Sequence, residues 1–148
     1  MFLAGEFLTA DRLNRLQPVD YEAPATAALA VATTTYADIP GCSLTLNTTT
    51  PGAAFKAWGV FDCSVTTTNT TALIVGRLLV DGVNQNGIAV YAMDTADRAT
   101  IGMVWTGTLG AAGSHTLKLQ GALTAAVASG GSILQSDTKL LVTITEIA

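Results

Sequence analysis

Charge is scarce in this sequence. Only 12% of its 148 residues are Asp, Glu, Lys or Arg, about half the usual share. Arg12, Arg15, Lys56, Arg77, Arg98, Lys118 and Lys139 lie scattered through the chain and the net charge is -4. With no basic patch, the sequence argues against phosphate-driven nucleic-acid binding. No apolar run approaches the roughly 20 residues of a membrane span, so no membrane is expected as a partner. The N-terminus lacks the basic region of a secretory signal, and Glu6 interrupts its apolar start, so the segment is expected to be retained. Histidine occurs once, as His115, and its neighbour Ser114 points to the opposite face of an extended strand, which makes a poor Ser-His pair. No G-x-S-x-G elbow, phosphate loop or dinucleotide fingerprint occurs. Asp94 and Asp97 offer two oxygens where a hard cation wants six or more, so turn formation explains them better. Two cysteines make no metal site by themselves. No enzyme chemistry, cofactor or metal is expected.

What the chain has instead is apolar surface. Nearly half of its residues, 49%, are hydrophobic, and a surface so poorly charged suits an oligomer or a large assembly. The length fits one domain plus a tail. The chain opens MFLAGEFLTADRLNRLQP, which reads as a helix over residues 10–17. Thr9 is its N-cap, Asp11 suits the positive end of the dipole, Leu13 and Leu16 share a face, and Pro18 stops it. Leu8 and Leu13 fall at the positions of a hydrophobic staple. A helix of two turns is marginal alone in water and needs a surface to persist. Residues 18–28, PVDYEAPATAA, read as an extended linker without a core of its own, which divides the chain into an anchor and linker over 1–28 and a domain over 29–148.

From Leu29 onward the texture is Thr, Val, Ile and Leu in short runs between Gly-rich breaks, which is strand composition with turn signals at all-β spacing. Strands are expected near 29–36, 42–49, 53–67, 70–81, 87–93, 98–109, 113–123 and 138–147. Leucines alternate in 43–47 and 116–120, and the dipeptides Asp81-Gly82 and Asn86-Gly87 mark turns. Eight such strands with no helical period after Leu16 predict an all-β, antiparallel jelly-roll sandwich. Trp58, mid-strand among apolar residues, is expected to be buried. If 42–63 forms a hairpin with its tip at Pro51-Gly52-Ala53, Cys42 and Cys63 lie opposite each other. They are candidates for a disulfide or for two small buried thiols.

The opening AGEFLTADRLNRLQP resembles the N-terminal segment, of the form AGE-x-LTA-x-x-LN-x-L, of small virion proteins of tailed phages that infect actinobacteria. The stretches TTTYADIPGCSLTL, GRLLVDG, GAAGSHTLKLQG and TKLLVTITEI resemble trimeric jelly-roll domains of the TNF/C1q-like shape found on phage capsids and tails. The resemblance implies a structural role in a virion, with a homotrimer as the unit and the major capsid or tail proteins as partners. Met1, Phe2, Leu3, Phe7, Leu8, Leu13 and Leu16 would then be the anchor that docks into a neighbour's groove, unless that segment folds back on its own sandwich or caps the trimer axis. Capsid decoration is preferred to a minor tail protein. The alternative is a receptor-binding tail tip, for which a host-surface glycan is the candidate ligand. Fold analogy by itself does not decide between them.

Overall fold

The computed structural model describes residues 9–128 and 130–147, without the side chains of Asp11 and Arg12. A short helix, α1 (Ala10–Arg15), is followed by ten strands: β1 (Val19–Pro24), β2 (Leu29–Val31), β3 (Ala37–Thr48), β4 (Ala53–Ser64), β5 (Leu73–Val80), β6 (Val83–Asn84), β7 (Ala89–Ala92), β8 (Arg98–Leu109), β9 (Gly113–Leu123) and β10 (Gly131–Thr145). Two five-stranded antiparallel sheets pack face to face. The first runs β1-β10-β4-β8 with β2 also beside β10, and the second runs β3-β9-β5-β6 with β7 also beside β5. Successive long strands alternate between the sheets, and the architecture is the expected jelly-roll sandwich.

The core follows from period-2 patterning. Along β4, Phe55, Ala57, Phe61 and Cys63 point between the sheets and are buried, as are Leu140, Val142 and Ile144 of β10. The second sheet answers with Leu46, Ile74, Leu78, Leu117, Leu119 and Leu123. The widest side chain at the centre, Phe61, needs room on both sides. A Cβ on Gly76 of the opposite sheet would lie 2.4 Å from Phe61 Cε1, and one on Gly59 would lie 3.0 Å from Cε2, so the ring occupies a slot that two glycines leave open.

Four expectations are corrected. Residues 19–24 are not a free linker: β1 pairs with β10 from Val19↔Ile144 to Pro24↔Lys139, and Ala23 and Ala25 are buried in the core. β1 is an edge strand, where Pro24 is tolerated. Residues 37–41, expected between two strands, belong to β3. Gly41 has φ 86, and the register of β3 on β9 shifts between Asp38 and Ser43, so Pro40-Gly41 forms a bulge within another edge strand. Residues 131–137 are strand as well, with a register break against β4 between Leu134 and Lys139 that accommodates the polar run Gln135-Ser136-Asp137. Finally, β3 and β4 lie in different sheets, so no 42–63 hairpin exists. Cys42 and Cys63 are free, buried thiols, and no disulfide joins them.

Candidate functional site

Exposed apolar side chains lie on both sheets, with Leu73, Val83 and Val90 on the second; the bulkiest, Trp58, lies on the outer face of the first. The strands that bury Phe55, Ala57 and Phe61 inward must turn Lys56, Trp58 and Val60 outward. Trp58, expected in the core, is therefore 49% exposed. The error was one of phase: Trp58 belongs to the set that contains Lys56. Register places Leu141 of β10 on one side of Trp58 and Val104 of β8 on the other, and Val104 is 42% exposed. The indole lies along the sheet because Gly102 has no side chain, where a Cβ would come within 2.8 Å of Trp58 Nε1. Leu141, Trp58 and Val104 thus form an apolar row across three adjacent strands. Beside it a shallow depression of about 300 Å³ is lined by Asp20, Tyr21, Lys56, Trp58 and Thr143, among others. Thr143 Oγ1 donates to Asp20 Oδ1 at 2.6 Å. Trp105 is buried, and its Nε1 donates to Gly87 O at 3.0 Å.

The rim of this face is charged but internally paired. Asp62 is fully buried beneath Arg98, whose Nε and Nη2 reach its two carboxylate oxygens at 2.8 and 2.6 Å. Arg98 also lies 3.3 Å from Asp137 in the β10 bulge. The Asp62 N–H donates to Thr138 Oγ1 at 2.9 Å, which pins the bulge from below. Lys139 and Glu22 approach to 3.2 Å. A buried carboxylate with a bidentate guanidinium partner is a structural joint.

Several titratable groups elsewhere are likewise engaged. His115 is 6% exposed at one pole of the sandwich, with Nδ1 2.7 Å from Asp81 Oδ2 and Nε2 3.0 Å from Ala111 O. Ser114 is exposed on the opposite side of β9, so no nucleophile-base pair forms. Asp97 accepts a short hydrogen bond from the Tyr91 hydroxyl. Burial first, and then that carboxylate, push the Tyr91 phenol up to about 12. Burial also raises the Cys42 thiol to about 11 and the Cys63 thiol to about 12. Among the described residues no group of three or more His, Cys, Asp or Glu could hold a metal ion. No helix there is long and apolar enough to cross a membrane.

Of the anchor residues, Met1, Phe2, Leu3, Phe7 and Leu8 lie outside the described residues. Leu13 is half exposed on α1, and Leu16, just past its end, is half buried. The helix is shorter than expected because it gives way to a turn before Pro18.

No protein-family model matches the chain, and no curated protein matches it either. Solved structures do. Dimeric latent PorU from Porphyromonas gingivalis matches with a TM-score of 0.53 at 6% identity, over 87% of this chain and 13% of that one. Eiger TNF from S. frugiperda matches at 0.51 and 10% identity, over 88% of this chain and 94% of that one. The VP2 subviral particle of infectious bursal disease virus matches at 0.50 and 11% identity, over 89% of this chain and 38% of that one. The chain thus spans nearly all of the TNF and only a part of the other two. What the likeness establishes is the fold: this chain is similar to a TNF jelly roll and to a domain-sized part of a viral capsid protein.

Proposed function

We propose that this chain is a non-enzymatic structural protein of a bacteriophage particle, a homotrimer that decorates the capsid surface and is fastened there by its N-terminal segment. The observation that carries the reading is the apolar row Leu141, Trp58 and Val104 at the centre of an otherwise uncovered sheet face. Half-exposed Trp58 on a central strand and Val104 on the neighbouring edge strand support an interface there, since isolated monomers keep such patches small. Three copies packed through this face would cover it and would supply stability that so few charges cannot. The likeness to a TNF and to a capsid protein supports a self-associating fold, and the resemblance of the opening segment supports the phage and the anchor. Leu13, half exposed on a helix too short to stand alone, suits docking onto another protein.

The test is solution mass by light scattering on the full chain, where a trimer weighs about 46 kDa against 15.2 kDa for one chain. The second arm is co-sedimentation with particles assembled without the protein. Replacing Leu13 and Leu16 together with Asp is expected to leave the trimer intact and abolish particle binding. A double variant that still decorated normally would remove the anchor from the proposal.

A second reading, a tail-tip module that binds host-surface glycan, is favoured by one observation. An exposed indole flanked by Asp20, Lys56 and Thr143 is the kind of aromatic platform on which a sugar ring stacks. That reading requires Trp58 to stay accessible in solution, so a trimer that protects Trp58 from quenchers argues against it.

A further inference from the structure

The pole from which α1 projects is built of turns: Asp81-Gly82 between β5 and β6, residues 110–112 between β8 and β9, and residues 49–52 between β3 and β4. Asp81 and Gly82 both have positive φ, 51° and 80°, as a two-residue hairpin with right-handed strand twist requires. His115, buried at the start of β9, reaches two of these turns at once. Its Nδ1 meets Asp81 Oδ2 and its Nε2 meets the Ala111 carbonyl. Asp81 Oδ1 accepts the Thr116 N–H at 2.8 Å, and its other oxygen faces the ring. Burial pushes the Asp81 carboxyl up, but hydrogen bonds from His115 and Thr116 outweigh it, so the group sits below its usual range and is ionised at neutral pH. A carboxylate and a carbonyl can only accept. Both ring nitrogens must therefore donate, and only the imidazolium does so.

We propose that His115 is a proton-operated clasp: charged, it ties the 110–112 turn to the Asp81-Gly82 hairpin, and on losing its proton it keeps Asp81 and releases Ala111. The order of release follows from strength. The remaining N–H stays on the ionic partner, since a charge-assisted bond is about twice as strong as a neutral one. Nε2 then presents a lone pair to the Ala111 oxygen at 3.0 Å. The other bond holding that oxygen is a long one from Thr48 Oγ1 at 3.4 Å. No second charge competes for the ring. From β3 it faces Leu46 across the ladder and Thr48 beyond, and from the 110–112 turn Ala111. Lys118 lies on the other face of β9, paired with Asp38 at 2.7 Å, and Glu146 is occupied by Thr49 and Thr50. Among the described residues, Asp81 is the charge that acts on His115.

The sign is fixed by the same geometry. The Asp81 hydrogen bond first, and the Ala111 bond after it, raise His115 above its ordinary 6.5 against the pull of burial. The clasp is thus fully closed below about 6.5 and opens as pH rises through the elevated folded value.

Because the chain contains a single histidine, one imidazole resonance in an NMR titration of the full protein reports it. The expected result is a midpoint above 6.5. Across that midpoint, protection of amides 111–113 from hydrogen exchange, corrected for intrinsic rate, falls by roughly 5-fold, about what one hydrogen bond is worth. Amides 81–84 hold. Asp81→Asn keeps a residue at ease at positive φ and an acceptor for Thr116 while removing the charge, so it is expected to lower the midpoint and move the protection step with it. A midpoint at or below 6.5, or a step at 81–84 in place of 111–113, or a midpoint unmoved by Asp81→Asn, would overturn the clasp.

Discussion

Trp58→Lys converts the centre of the apolar row into a charge without touching the core. The side chain points outward beside Lys56, so the protomer is expected to fold normally and to keep its far-UV circular dichroism. Its effect falls on association. A Trp side chain that is 49% exposed leaves about 100 Å² for a partner to cover, given that aromatics bury about 150–250 Å². At about 25 cal/mol per Å² this is about 2.5 kcal/mol per protomer and about 7 kcal/mol for three. A loss of about 7 kcal/mol shifts a trimer's dissociation constant by about five decades. The concentration of half-dissociation varies as the square root of that constant, so it rises about 300-fold. Light scattering or sedimentation over a dilution series reads this directly: the natural chain holds its trimer mass to concentrations about 300-fold lower than the variant. Coincident curves for the two proteins would show that Trp58 is not in the interface and would refute assignment of the trimer to this face. A natural chain that is monomeric throughout would refute the trimer itself.

Two further outcomes test the interior. Gly76→Ala places a methyl where Phe61 already sits, 2.4 Å from Cε1, and is expected to destabilise the domain by about 1–3 kcal/mol in chemical denaturation; the paired change Phe61→Leu with Gly76→Ala should recover part of that loss if the slot is the cause. Cys42 and Cys63, with thiols raised to about 11 and about 12 by burial, are expected to resist alkylation at pH 8 in the folded protein and to react fully in denaturant; mass spectrometry of a modified native protein would show that the core opens more readily than its packing implies.

Much of the sandwich was legible because burial on one face writes a period of two. The alternating leucines of 43–47 and 116–120 and the glycine turns located most strands within a few residues. What escaped was information carried by other parts of the chain. Val19–Pro24 contains two residues of real bulk, Val19 and Tyr21, and gains its strand state from the β10 ladder it adds to, so neither propensity nor pattern announced it. Pro40-Gly41 reads as a turn locally, and only an edge position lets it remain a bulge. The β3-β4 crossing between sheets left no local trace, which is why Cys42 and Cys63 could be imagined face to face. Trp58 was legible in principle: counting from Phe55 and Phe61 puts it outside, but its apolar neighbours on both faces masked the phase. The His115 clasp joins the adjacent 110–112 turn to the Asp81-Gly82 hairpin 34 residues away, a pairing beyond any motif.

The inclusion of β1 in the sheet also decides how the domain bears load. A tether that enters through α1 continues directly into β1, which lies antiparallel to β10 through six registered pairs. A pull on the N-terminus along the strand axis therefore stresses that ladder in shear, with its hydrogen bonds loaded side by side instead of peeled one at a time. An extended arm joined at a loop would transmit the same tug to a hinge. Here the first structural element to resist is the sheet itself, with β10 passing the strain on to β4 at its centre. Under the attachment proposed above, a domain fixed to a rigid shell and loaded from outside is expected to yield at the contacts of α1 before its own sandwich comes apart.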